Sequence, residues 1–147
     1  MEATCKDTAF GEMSYNHRWF KKQTIMMFGK EWDITVDAKA YSGKTITEEQ
    51  QKAYLNFTAK EKEMVGIVGE QLKSYVNRNL TELATYWVSA RAVVNVNELG
   101  QMVTPKTLLF KQDGSTIMLF DCVWDIDGGV AVKLTPEVAV GSQDLFL

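Results

Sequence analysis

From Arg18 the chain alternates apolar and polar positions in the manner of strands. Trp19-Phe20 and Thr24-Ile25-Met26-Met27-Phe28 form one apolar segment, and Gly29-Lys30 supplies a turn. Trp32, Ile34 and Val36 then alternate with Glu31, Asp33, Thr35 and Asp37. A period of two puts one set of side chains on a buried face and the other in water, so these residues predict a β-hairpin. Residues 1–14 show no period and read as a flexible arm.

The period changes after Tyr41-Ser42-Gly43-Lys44. Thr47-Glu48-Glu49-Gln50 has the form of a capping box, with Thr47 and Gln50 satisfying each other's backbone amides. Beyond it Tyr54, Phe57, Met64, Val65, Val68, Leu72, Tyr75 and Val76 recur at steps of three and four, which predicts one long amphipathic helix. Glu61 alone interrupts the apolar stripe. From Glu48 to Val76 such a helix would run about 44 Å at 1.5 Å per residue. A domain of this size is roughly 38 Å across. Gly66 and Gly69 therefore offer either a bend or a close approach of another element, and close packing is the preferred expectation.

Residues 78–103 are ambiguous. Leu83, Trp87 and Val88 suit a second helix, while Tyr86-Trp87-Val88 and Val93-Val94 also suit a strand or buried loop. Asn97 can cap a single turn before Thr104-Pro105. The last third is plainer. Leu108-Leu109-Phe110, Ile117 to Phe120, Val130-Ala131-Val132 and Val138-Ala139-Val140 are apolar runs. Gln112-Asp113-Gly114-Ser115, Asp125-Ile126-Asp127-Gly128-Gly129 and Pro136 separate them, which predicts an antiparallel meander. The expected fold is α+β: an antiparallel sheet, made of the N-terminal hairpin and the C-terminal meander, packed against one long helix. A chain of 147 residues is expected to form a single domain.

Composition removes several function classes. With 46% hydrophobic and 24% charged residues, the chain is globular rather than disordered. The net charge is −3 and the 16 Lys and Arg are scattered, so no nucleic-acid partner is expected. No apolar run reaches membrane-spanning length, and residues 1–13 contain no apolar signal-peptide core. Cys5 and Cys122 are not expected to pair. A cytoplasmic setting follows as the expectation.

Candidate chemistry is sparse. His17 is the sole histidine, next to a turn, and needs a nucleophile or carboxylate partner to act as a base. Cys122 lies in the apolar segment Leu119-Phe120-Asp121-Cys122-Val123-Trp124, where a thiol behaves as a small hydrophobe. Asp121, Asp125 and Asp127 form an acidic group, and Asp125-Ile126-Asp127-Gly128 resembles the start of a calcium loop. The closing glutamate of that loop is missing, and a hairpin turn demands the same residues. Trp19, Trp32, Trp87 and Trp124 suit a core better than a stacking platform. Phe146, in the apolar tail Leu145-Phe146-Leu147, needs a surface to dock on, either the body of the protein or a partner. No catalytic residue, metal site or cofactor is assigned.

Five segments carry a resemblance. They are Phe28-Gly29-Lys30-Glu31, Ile46-Thr47-Glu48-Glu49-Gln50, Val103-Thr104-Pro105, Leu119 to Asp125, and Val140-Gly141-Ser142-Gln143-Asp144. In this order they resemble a group of uncharacterised bacterial domains of unknown function, the 2004/6985-type group. The resemblance implies the α+β fold and a bacterial cytoplasmic setting, and transfers no activity. In that group the turn after the Cys-x-Trp strand often reads acidic-His-Gly, and Gly128 stands here in place of the histidine. By analogy of class, small acidic α+β proteins of this kind look like immunity proteins.

The leading expectation is a non-enzymatic protein-binding module, with His17, Trp124, Asp125, Asp127 and Phe146 as binding residues and another protein as partner. One alternative is a small metal-assisted hydrolase using His17 with Asp121, Asp125 and Asp127. The other is a structural homo-oligomer, such as a homodimer built on the long helix or the Phe146 tail.

Overall fold

A computed structural model describes residues 3–41 and 44–147, so the punctuation expected at Ser42-Gly43 lies outside the described residues. Among the described residues, eight strands form one sheet whose spatial order follows the chain. They are β1 (Ala3–Asp7), β2 (Gly11–Tyr15), β3 (Trp19–Met27), β4 (Lys30–Ala38), β5 (Val103–Phe110), β6 (Thr116–Cys122), β7 (Asp125–Thr135) and β8 (Ala139–Ser142). Every neighbouring pair is antiparallel except β4 and β5, which run parallel from Thr35↔Thr107 to Ala38↔Phe110. The mixed α+β class is as expected. The all-antiparallel sheet is corrected at this one central pair, where the chain crosses over through its helices.

The predicted hairpin is β3–β4, in register from Trp19↔Ala38 to Met27↔Lys30. Its two-residue turn is Phe28-Gly29, one residue earlier than Gly29-Lys30. Both residues have positive φ, 56° and 80°, as a primed hairpin turn requires. Phe28 tolerates that conformation because its ring is buried, 6.4 Å from Phe120 and 6.5 Å from Trp32.

Of the stretch 1–14 expected as a flexible arm, residues 1–2 lie outside the described residues, and the rest instead belongs to β1 and β2, in register from Ala3↔Tyr15 to Asp7↔Gly11. Few side chains point inward, which leaves no visible period, but those that do are anchors. Phe10 and Met13 are fully buried, and the Phe10 ring stacks on Tyr54 at 4.3 Å. The Asp7 carboxylate accepts from the amides of Ala9 and Phe10 and from Gln51 Nε2. Lys21 Nζ donates to Phe10 O at 2.6 Å and to Tyr54 Oη at 2.7 Å.

One long helix is also corrected. The chain forms α1 (Glu48–Ala59) and α2 (Glu61–Arg78), broken at Lys60 where φ is −125° and ψ 30°. The break falls beside Glu61, the charged interruption of the stripe. Neither glycine bends the helix. Gly66 faces open space, whereas a Cβ at Gly69 would come within 2.7 Å of Val96 Cγ1, so Gly69 serves close packing. The break lets each half follow the sheet: Tyr54 and Phe57 of α1 are buried at one end, and Val68, Leu72 and Val76 of α2 at the other. The ambiguous stretch supplies α3 (Leu80–Leu83) and a 3₁₀ turn (Val96–Gln101). Asn95, not Asn97, caps that turn.

The main core lies between the helices and one face of the sheet. A smaller cluster of Leu109, Ile117 and Ala131 lies on the opposite face, with Leu119 and Phe146 packed against it. Asp37 also faces that way, paired across strands with Phe20 and Leu109. Its Oδ2 lies 3.4 Å from Arg18 Nε, while its Oδ1 is buried without a partner. Burial raises the Asp37 carboxyl above its ordinary value, and the Arg18 charge only partly opposes this. A carboxyl raised in the folded state favours folding below its unfolded value, and that advantage is lost as pH rises through the folded one. Ionised Asp37 therefore weakens the fold at neutral pH. Asp37→Asn is expected to raise the melting temperature by roughly 2–4 °C at pH 7, the gain fading as pH falls toward 4; calorimetry at both pH values checks it.

Candidate functional site

The β6–β7 connection is built differently from the expected Asp-Gly hairpin loop. Cys122 pairs with Asp125, so the tight turn is Val123-Trp124. The next pair is Phe120↔Val130, which leaves residues 126–129 as a bulge in β7. Asp125 shapes that bulge, since its Oδ1 accepts from Gly128 N at 2.9 Å. Gly129 completes it with φ 71°. A Cβ there would lie 2.4 Å from both Phe120 O and Gln143 Nε2, two groups already hydrogen-bonded to each other at 2.8 Å. Only glycine fits.

This construction turns Trp124 inward beneath the helices. Its indole lies 6.0 Å from the Trp87 ring and 6.3 Å from Tyr75 on α2. Above it opens a cleft of about 370 Å³, lined by Tyr75, Glu82, Tyr86, Trp124, Asp125 and Ser142 among others. The wall is aromatic and acidic, and no Lys, Arg or His lines it among the described residues. The Tyr75 hydroxyl is pushed above its ordinary value, first by burial and then by the charges of Glu82, Cys122 and Asp125. The cleft therefore disfavours additional negative charge.

The predicted site residues divide. Trp124 and Asp125 meet in the cleft. Asp127 is exposed on the bulge beside it. Asp121 is on another side, 3.7 Å from Lys106. His17 is exposed in the β2–β3 turn with φ 67°, a conformation histidine adopts more readily than most residues. The register puts it at the far end of the sheet. Trp19, close after it, aligns with Ala38, Phe110, Thr116 and Thr135, while Cys122 and Asp125 align with Val103. His17 and the aspartates are thus not assembled into one site, and no group of three His, Cys, Asp or Glu suited to a metal occurs among the described residues. Phe146 packs on the opposite face of the sheet. Tyr75, Glu82 and Tyr86 join the site without having been singled out from sequence. Tyr75 reads there as part of the apolar helix face, and the other two lie in the ambiguous stretch.

No helix is long and apolar enough to cross a membrane among the described residues. The chain belongs to the family described as a domain of unknown function, DUF6985, whose model matches residues 9–147. No curated protein and no solved structure matches it.

Cys122 lies beside the cleft residue Asp125, with Sγ 3.6 Å from Asp125 O. Burial pushes its thiol up to about 11 from 9.0, so at pH 8 its thiolate fraction is roughly a hundredfold below that of an ordinary thiol. A chromogenic disulfide reagent should leave Cys122 unmodified in the native Cys5→Ser protein and react rapidly once urea unfolds it. The same shift makes folding stability decline between pH 9 and 11, a decline that Cys122→Ala should lessen.

Proposed function

We propose that this chain is a non-enzymatic protein-binding module, working in the cytoplasm, that engages its partner around the Trp124–Asp125 cleft. The observation that carries the reading is the rim. Tyr86 lines the cleft and is 71% exposed, while Ile126, next in the chain to Asp125 and 82% exposed, lines a second depression with Val123 and Asp121. Val88 and Val94, in the connection that holds Tyr86, are also exposed. Exposed large apolar side chains on the segments next to a recessed polar centre suit a macromolecular contact, in which they exclude water from the middle. The separation of His17 from the aspartates, and the protonated state of Cys122, favour binding over hydrolysis. An immunity-type role is the version in which the partner is a toxin, and its support is the acidic charge and compact size alone.

Capture of partners from native lysate tests the reading, using tagged wild-type protein beside Tyr86→Ala, Ile126→Asp and His17→Ala. The expected result is one dominant protein retained by wild type and His17→Ala and lost from both rim variants. Equal capture by every bait, or a hydrolytic activity that His17→Ala abolishes, would overturn it. A particle mass of twice the monomer, abolished by the rim variants, would identify the partner as a second copy.

A further inference from the structure

Beyond the existence of an interface, the cleft specifies what it can hold. Its floor is the buried Trp124 indole, its walls are Tyr75 and Tyr86, and carboxylates stand at two positions, Glu82 on α3 and Asp125 at the start of β7. Neither carboxylate forms an ion pair among the described residues. Asp125 is fixed in place because one oxygen accepts from Gly128 N, which leaves the other for a ligand. Aromatic faces attract cations through their negative quadrupole, and carboxylates add charge-assisted hydrogen bonds. The volume, about 370 Å³, is near the lower end for small-ligand sites and accommodates one long side chain.

We propose that the cleft is a cation-binding site that receives an arginine side chain from the partner, its guanidinium between Glu82 and Asp125 and its plane against the aromatic wall. A planar guanidinium suits this arrangement better than an ammonium, since it stacks on rings and presents a fork of donors to carboxylates. The proposal rests on the interface reading above and supplies its chemistry.

The test uses acetyl-arginine amide, with acetyl-citrulline amide as its neutral isostere, followed by the indole NMR signals of Trp87 and Trp124. The arginine probe is expected to titrate these signals with a dissociation constant on the order of 1 mM and to leave those of Trp19 and Trp32 unmoved. Glu82→Gln and Asp125→Asn should each weaken it roughly threefold to tenfold. Glu82 is exposed, and the Asp125→Asn side chain keeps an oxygen for the Gly128 amide, so both variants should fold. Equal binding of citrulline, no titration by either probe, or full affinity in the double variant would overturn the proposal. If the arginine probe fails while Tyr86→Ala still loses the captured partner, the interface stands and only the cation assignment falls. If the rim variants leave capture unchanged, the interface reading fails whatever the probe does.

Discussion

Gln50 makes the contacts on which the rest of the molecule depends. It is fully buried in the first turn of α1, at the point where the sheet changes from antiparallel to parallel pairing. Its Nε2 donates to Lys39 O at 2.8 Å and to Phe110 O at 2.9 Å, and its Oε1 accepts from Thr47 N at 2.8 Å. Thr47 returns the contact by accepting from Gln50 N and reaches onward to Gln112 O. A parallel pair cannot be closed by a hairpin, so β4 and β5 depend on a crossover long enough to carry the chain back. One buried amide ties the exit of β4, the end of β5 and the start of that crossover together. Left without partners, the same polar groups would each cost about 1–3 kcal/mol.

From that anchor the layout of the cleft follows. The helices must lie on the face of the sheet that carries Ile34, Val36, Leu108, Phe110, Met118 and Phe120, because those side chains need cover. The break at Lys60 keeps both halves on that face, and Gly69 admits Val96 so that α2 can descend toward β7. Tyr75 and Glu82 thereby arrive above Trp124 and Asp125. The two sides of the cleft come from elements far apart in the chain and meet only because the crossover returns to the sheet.

Elements governed by neighbouring residues are legible in the sequence. The β3–β4 hairpin follows from strict alternation, and the start of α1 from Thr47-Glu48-Glu49-Gln50, whose capping box has the expected partners. What sequence pattern leaves out depends on distant contacts. Residues 1–14 look formless because the anchors Phe10 and Met13 gain their meaning from Tyr54 and Phe110 on other elements. The Asp-Gly segment carries turn chemistry, yet Trp124 is drawn under α2, which places the turn at Val123-Trp124 and leaves the glycines in a bulge. Half of the cleft is visible in sequence, as Trp124 and Asp125. Tyr86 and Glu82 lie where local signals for helix and strand compete, and His17, conspicuous for its rarity, is a turn residue far from the others.

Amide hydrogen exchange in Gln50→Ala, compared with wild type, tests the central role of this contact most directly. Loss of the side chain should cost roughly 2–4 kcal/mol, since several buried polar groups lose partners together. It should lower protection at Lys39, whose amide donates to Phe110 O, at the β4–β5 pairs, and along α1. A cost below about 1 kcal/mol, with protection unchanged at the parallel pair, would contradict the account and mean that hydrophobic packing alone holds the crossover to the sheet.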